Sequence, residues 1–99
     1  ALAEPTANRV GEAVAKMASY YYDQKDYARA VEIFENVLRN YPDAKFLDVI
    51  LFNYGRCLYR LEQKRKARSQ FDQLINDFPE STLAGEAKRI SEALIKEGF

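Results

Sequence analysis

The chain has 99 residues, of which 47% are hydrophobic and 30% charged, and its fifteen basic and fifteen acidic side chains cancel. That length suits one domain with a single core, and that apolar content argues against a disordered chain. A net charge of zero gives no electrostatic reason to expect nucleic acid or an anionic membrane as partner. No apolar run reaches the roughly 20 residues that span a bilayer, so direct membrane insertion is not expected.

The first two predicted helices span about residues 6–23 and 27–40. Each carries an apolar stripe at helical spacing. The stripes are formed by Val14, Met17, Ala18 and Tyr21 in the first helix and by Ala30, Phe34, Val37 and Leu38 in the second. A polar turn near residues 24–26 joins them, and Pro42 ends the second helix because proline cannot continue it. The pattern predicts an antiparallel pair of helices.

The next two predicted helices, at about residues 44–61 and 64–77, repeat this arrangement 37 positions later. Their stripes are formed by Leu51, Tyr54, Gly55 and Leu58 and then by Ala67, Phe71, Leu74 and Ile75. The anchors recur in pairs, Ala30 with Ala67, Phe34 with Phe71 and Pro42 with Pro79. A fixed offset of this size indicates a repeat protein in which each repeat is one supersecondary unit.

The last predicted helix, at about residues 81–97, closes the array. Its apolar side carries Leu83, Ala87, Ile90 and Leu94, and its other side carries Glu86, Lys88, Arg89, Glu92 and Lys96. An apolar inner face and a charged outer face suit the end of a helical stack. We therefore expect one all-α domain over residues 1–99, with a first repeat at about 11–44, a second at about 48–81 and a capping helix at about 81–97.

These positions resemble the tetratricopeptide-repeat (TPR) family over about residues 11–97. That family has a small residue in the first helix of each repeat, alanine and an aromatic residue in the second, and a closing proline. The chain supplies Ala18, Ala30, Phe34 and Pro42, and then Gly55, Ala67, Phe71 and Pro79. The resemblance implies a right-handed α-α superhelix, a TPR solenoid of two helical hairpins plus a C-terminal capping helix.

The junctions after the repeats carry a narrower resemblance. Tyr41-Pro42-Asp43 and Phe78-Pro79-Glu80 are similar to junctions of bacterial envelope TPR proteins, which also have a few extra residues between repeats. These include the C-terminal TPR domain of the Tol-Pal-associated cell-division coordinators (YbgF/CpoB) and the BamD-type assembly lipoproteins. The resemblance implies a periplasmic scaffold in envelope constriction or assembly, and the alternative location is the cytoplasm.

The sequence offers no pattern for catalysis or for a cofactor. It contains no histidine, which excludes histidine-based triads and histidine-ligated metals. Cys57 has no histidine partner to activate it and is predicted to be a packing residue. The four glycines are scattered and form no phosphate loop. We therefore expect no enzymatic activity, no metal and no cofactor.

The candidate binding residues lie on the first and third helices. The family register implies a concave groove lined by Glu12, Ala15, Ser19, Tyr22 and Asp23, and by Val49, Phe52, Arg56, Tyr59 and Arg60. The spacing of Phe52, Arg56 and Tyr59 independently places them on one side of the third helix, away from its inner stripe. Aromatic residues beside arginines are typical of binding hot spots. We predict that a peptide or partner protein contacts Tyr22, Asp23, Phe52, Arg56, Tyr59 and Arg60.

Other interpretations of these side chains remain open. Phe52 and Tyr59 would pack on the first repeat or the last helix, and Arg56 and Arg60 would pair with Asp23 or Glu12. A second candidate site is the run of three tyrosines at residues 20–22, in which Tyr21 belongs to the core by register. A third is the basic segment at residues 64–68, for which a solvated turn is the favoured interpretation over a site for nucleic acid.

The leading functional hypothesis is a non-catalytic scaffold that binds a peptide or a partner domain in the groove, with no role for nucleic acid. The competing hypothesis is structural. Two repeats are fewer than the three usually needed for a stable stack, so the domain would form a homo-oligomer or be one part of a longer TPR array.

Overall fold

Five α-helices occur within residues 3–99 and account for 77% of the chain. The computed structural model describes the backbone of residues 3–99 and the side chains of Arg9 and of residues 11–99. The helices are α1 (Ala3–Asp23), α2 (Tyr27–Asn40), α3 (Leu47–Arg60), α4 (Lys64–Asp77) and α5 (Ala84–Lys96). No strand occurs in residues 3–99. The predicted all-α fold class is confirmed.

The helices pack in chain order and form a layered array. Each helix contacts the next one along the chain, and α1 also touches α3. The array therefore consists of two hairpins, α1–α2 and α3–α4, with α5 packed on α4. Its principal extents are 45 × 31 × 20 Å. In this order α1, α3 and α5 are successive first helices, which is what places the candidate binding residues side by side.

The core follows the repeated apolar stripes. Ala30, Phe34 and Ala67 are at most 1% exposed, as is Phe71. Leu38 and Ile75, at the edge of the same stripes, are partly buried against the core. The prediction that Met17 belongs to the core is wrong, because 51% of its surface is exposed. Met17 lies on the side of α1 that faces away from α2 and α3.

Two glycines of the first helices allow close approach of an aromatic ring: Gly55, the small residue of the second repeat, and Gly11 of α1. A Cβ atom at Gly55 would lie 2.7 Å from Cζ of Phe71, and one at Gly11 would lie 2.8 Å from Cγ of Phe46. Real Cβ contacts are essentially never so short. The ring of Phe71 thus occupies the space that the missing side chain of Gly55 leaves between α3 and α4.

The turns within the two hairpins are alike. Lys25 and Glu62 have positive φ values of 62° and 64°, unusual for residues other than glycine. In the first turn the amide of Asp26 donates to the carbonyl of Tyr21, and in the second Gln63 donates to Leu58 in the same way. These bonds belong to Schellman motifs, which satisfy the last carbonyls of a helix. Gly98, with φ of 98°, ends α5 likewise.

Two predicted helix boundaries are wrong by three residues at the junctions between repeats. Helix α3 begins at Leu47 rather than at residue 44, and α5 begins at Ala84 rather than at residue 81. The cause is a turn after each proline, in which the amide of Ala44 donates to Tyr41 and the amide of Ser81 donates to Phe78. At the other end of the chain, α1 begins at Ala3, three residues earlier than predicted. Pro5 is tolerated there, since first-turn amides have no helical acceptor.

Candidate peptide-binding groove

Two recesses line one side of the array, and we call them together the groove. The first has a volume of about 350 Å³ and lies between α1 and α3. Its lining is Ala15, Ala18, Ser19, Tyr22, Asp23, Phe34, Asn53, Arg56 and Cys57. The second, of about 240 Å³, is lined by Tyr22, Arg56, Tyr59, Arg60, Phe71 and Ile90. Tyr22 and Arg56 belong to both recesses and mark the point where they meet.

A cluster of one tyrosine and two arginines occupies that meeting point, and we call it the tyrosine–arginine cluster. The guanidinium carbon of Arg56 lies 4.7 Å from the centre of the Tyr22 ring, and that of Arg60 lies 6.0 Å from it. Nε of Arg60 also donates a hydrogen bond of 3.1 Å to the Tyr22 hydroxyl. Cation–π contacts of this kind contribute about 0.5–1 kcal/mol at exposed sites. The ring thus holds both cations on one face of the groove.

The charge of the two arginines is directed at solvent rather than at a carboxylate of the domain. Among the described side chains, no acidic group forms an ion pair with Arg56 or Arg60. The alternative prediction that they pair with Asp23 or Glu12 is therefore wrong. The hydrogen bond to Tyr22 raises the pKa of Arg60 still further above neutrality, and both guanidinium groups are charged at neutral pH. The guanidinium groups of Arg56 and Arg60 are therefore available to contact an external anion.

Phe52 and Tyr59 differ in how far they reach into the groove. The Phe52 ring is partly buried and packs edge-to-face on Phe71, with the two ring centres 5.7 Å apart. Phe52 therefore packs within its own repeat, on α4, whereas the packing alternative predicts a contact with the first repeat or with the last helix. Tyr59 is 39% exposed and lines the second recess, with Nζ of Lys64 5.3 Å from its ring centre. Tyr59 therefore offers an accessible aromatic surface, whereas Phe52 packs against Phe71, which lines the second recess.

Asp23 lines the first recess, and the linings also include residues that sequence analysis did not assign to the groove, among them Asn53 of α3 and Ile90 of α5. Asn53 accepts a hydrogen bond of 3.4 Å from Arg56 and so orients its guanidinium. Helical spacing in the sequence could have identified Asn53, because it precedes Arg56 by three positions and therefore lies on the same side of α3. Ile90 lies in the apolar stripe of α5 and had been assigned only to packing. It reaches the second recess because α5 borders it.

Cys57 forms part of the floor of the first recess. It is 1% exposed, and burial raises the pKa of its thiol to about 11. The nearby Arg56 lowers that pKa, but its effect is the smaller one. The thiol is therefore protonated at neutral pH and is a poor nucleophile. The prediction that Cys57 is a packing residue is confirmed.

The other two candidate segments have different surroundings. Tyr20 is 60% exposed, Tyr21 packs against the core and Tyr22 belongs to the groove. In the basic segment, Lys66 pairs with Glu35 at 3.5 Å, and Arg68 lies 3.7 Å from Asp72. Lys64 pairs with Glu62 and Glu97. Much of the positive charge of residues 64–68 is thus balanced by local carboxylates.

No cluster of three or more cysteine, aspartate or glutamate side chains is arranged to hold a metal ion within the described part of the chain. None of the described helices combines the length and apolar character of a membrane span.

Comparison with known proteins agrees with the repeat geometry. The family model described as tetratricopeptide repeat matches residues 11–80, which include most of the first hairpin and all of the second. Searches of curated proteins and of solved structures gave no significant match. The matched segment holds both Schellman turns, both proline junctions and the residues Tyr22, Arg56 and Arg60. The chain belongs to the tetratricopeptide-repeat family.

Proposed function

We propose that this domain binds an extended segment of a partner protein in its groove, at a point where an acidic side chain lies beside an apolar one. TPR repeats generally mediate protein–protein interaction, and the groove gives that general role a specific chemistry. The observation that carries the proposal is the tyrosine–arginine cluster, in which two cations share one ring and meet no carboxylate among the described side chains.

The acidic residue would contact the guanidinium groups. Arginine presents a planar set of donors that can hold a carboxylate through two parallel hydrogen bonds. Arg60 is already fixed by its bond to the Tyr22 hydroxyl, and Arg56 by its contacts with Tyr22 and Asn53. Because these side chains are ordered before the ligand arrives, less conformational entropy is lost on binding.

The apolar residue would enter the first recess. Ala15, Ala18 and Phe34 line it together with Cys57, and these four supply an apolar floor next to Arg56. A volume of about 350 Å³ accommodates a side chain of the size of leucine or phenylalanine. Burying such a side chain contributes about 1.5–3 kcal/mol. Tyr59, exposed on the rim of the second recess, offers a further surface on which the segment can lie.

A displayed library of random ten-residue peptides tests this proposal. The wild-type domain should select peptides that share an aspartate or glutamate next to an aliphatic or aromatic residue. A selected peptide should bind Arg56→Gln and Arg60→Gln at least about fivefold more weakly, which corresponds to 1 kcal/mol. Arg65→Gln is the matched control, since it removes the same charge from an exposed arginine of α4. Equal affinity for all four proteins, or selected peptides without acidic residues, would overturn the proposal.

We also propose a bacterial envelope setting, with the domain acting as a periplasmic scaffold. Support comes from the resemblance of the Tyr41-Pro42 and Phe78-Pro79 junctions to those of bacterial envelope TPR proteins. Osmotic-shock fractionation of the native host, probed with an antibody against the domain, provides the test. Recovery with cytoplasmic markers would contradict the periplasmic location and leave the groove chemistry intact.

A further inference from the structure

Side chains of opposite charge line the first recess of the groove. Asp23 comes from α1 and Arg56 from α3, and apolar side chains of the same lining form the floor. Asp23 is the last residue of α1, and its side chain is exposed. A segment that lies in this recess therefore meets a carboxylate on the α1 side and a guanidinium on the α3 side.

These two charges do not neutralise each other. Among the described side chains, no cation forms an ion pair with Asp23 and no donor forms a hydrogen bond with its carboxylate. Arg56 contacts the Tyr22 ring and Asn53, and Arg60 donates to the Tyr22 hydroxyl. The carboxylate of Asp23 is therefore accessible to a cation of a bound ligand.

Asp23 does not cap either helix of its hairpin. The negative end of a helix dipole lies at the C-terminus, where a carboxylate is unfavourable, and the last turn of α1 has no basic residue to offset it. At the start of α2, the amide of Arg29 donates to Asp26 and not to Asp23. Folding of the hairpin therefore does not depend on the charge of Asp23, which makes this residue suitable for a binding test.

We infer that the partner segment carries a basic side chain that pairs with Asp23, on the other side of its apolar residue from the acidic one. The inference rests on the proposed function, because it takes the apolar residue to enter the first recess and the acidic residue to contact Arg56 and Arg60. The basic residue then lies over α1 and the acidic residue over α3. A segment with acidic residues on both sides would bring one of them against Asp23, and this repulsion would disfavour it.

The distance between the helices sets the spacing of these three side chains. Packed helices lie about 8–10 Å apart, and an extended chain covers at most about 3.3–3.6 Å per residue. The basic and acidic residues should therefore be about three or four positions apart, with the apolar residue between them.

Selection from the displayed library of random ten-residue peptides tests the inference with three proteins. The wild-type domain should enrich lysine or arginine on one side of the apolar residue and an acidic residue on the other. Asp23→Lys should still enrich the acidic residue but lose the basic one. Asp77→Lys is the matched control, since Asp77 is also the exposed last residue of a helix but lies outside both recesses.

The outcomes of this selection separate the inference from the proposed function. Acidic peptides without an enriched basic residue, or the same basic enrichment with Asp23→Lys, would overturn the inference and leave the proposed function standing. Peptides without an acidic residue would overturn the proposed function itself.

A charge exchange on one selected peptide checks the contact directly. Replacing its basic residue by glutamate should weaken binding to the wild type at least about fivefold, and Asp23→Lys should bind the glutamate peptide more tightly than the wild type does. Asp23→Asn, which removes the charge without adding one, should narrow the difference between the two peptides. Thermal unfolding should show both variants folded. If wild type and both variants prefer the same peptide by the same factor, Asp23 does not contact the segment and the inference is overturned.

Discussion

Helices α1 and α3 hold the same place in successive repeats, yet they differ in how much of each is covered. In α3 both the inner stripe and the face toward α2, which carries Leu47, Ile50 and Cys57, are buried, since α2 lies on one side and α4 on the other. In α1 the inner stripe is buried at Val14 and Ala18, whereas Met17 and Tyr20, which lie 37 positions before Tyr54 and Cys57, are exposed. The comparison teaches that in a repeat array the neighbours of a helix, and not its own pattern alone, decide how much each position stabilises the fold.

The largest effects on stability are expected for Phe34 and Phe71, the buried aromatic residues of the second helix in each repeat. Phe71→Ala should lower the free energy of unfolding by about 3–5 kcal/mol, because the ring is 1% exposed and fills the space beside Gly55. Phe34→Ala should fall at the lower end of that range, since Phe34 borders the first recess and water can enter the space left. Urea unfolding of both variants provides the measurement. Losses near zero at both positions would contradict the repeat register.

A somewhat smaller effect is expected where the helices of a hairpin approach most closely. Ala30→Leu and Ala67→Leu should each lower the free energy of unfolding by about 1–3 kcal/mol, because both positions are 0% exposed and the added carbons have no room. Ala93→Leu, at an exposed position of α5, is the control for the change of residue type. If Ala67→Leu were as harmless as Ala93→Leu, close packing between α3 and α4 would be disproved.

The Tyr54–Glu35 bond predicts a dependence on alkaline pH. Burial first, and then the hydrogen bond to Glu35, raise the pKa of Tyr54 above its ordinary value of 10. The unfolded chain therefore releases this proton near pH 10 while the folded protein retains it, and stability contributed by the bond is present below pH 10 and declines above it. Tyr54→Phe should cost about 1–2 kcal/mol at pH 8. Urea unfolding from pH 8 to 11 should show the wild type losing its advantage over the variant.

The smallest effect is expected on the uncovered face of α1. Met17→Ala should change the free energy of unfolding by less than about 0.5 kcal/mol, because 51% of the Met17 surface is exposed. Tyr54→Ala, at the corresponding position of α3, should cost several times more, because it removes a buried ring and its hydrogen bond. Equal losses at the two positions would mean that α1 is covered as α3 is.

Much of the fold could be predicted because the same buried positions occur twice in the sequence, once in each repeat. Ala30, Phe34 and their counterparts in the second repeat recur at a fixed offset, and all are buried as expected. Helix starts at Leu47 and Ala84 were misplaced because the turns after the prolines are set by backbone hydrogen bonds, which leave a weak trace in side-chain pattern. The repeat boundaries at 11–44 and 48–81 stay a prediction.

The candidate site was predictable in part for a related reason. Helical spacing alone put Arg56, Tyr59 and Arg60 on one side of α3, and they do line one recess with Tyr22. The spacing could not show that both arginines would gather on the Tyr22 ring, since this depends on how α1 and α3 are placed relative to each other. For the same reason it could not show that Met17 lies outside the core. Whether the six predicted residues contact a partner stays a prediction.

The most direct test of the central claim, that the groove recognises an acidic residue of a partner segment, is a nitrogen-15 NMR titration. The labelled domain is titrated with a selected peptide and, separately, with the same peptide in which the acidic residue is replaced by its amide. The account predicts shifts of the Arg56 and Arg60 side-chain Nε–H signals and of the Tyr22 amide with the acidic peptide, and much weaker shifts with the amide. Equal responses to both peptides, or shifts confined to α2 and α4, would contradict it.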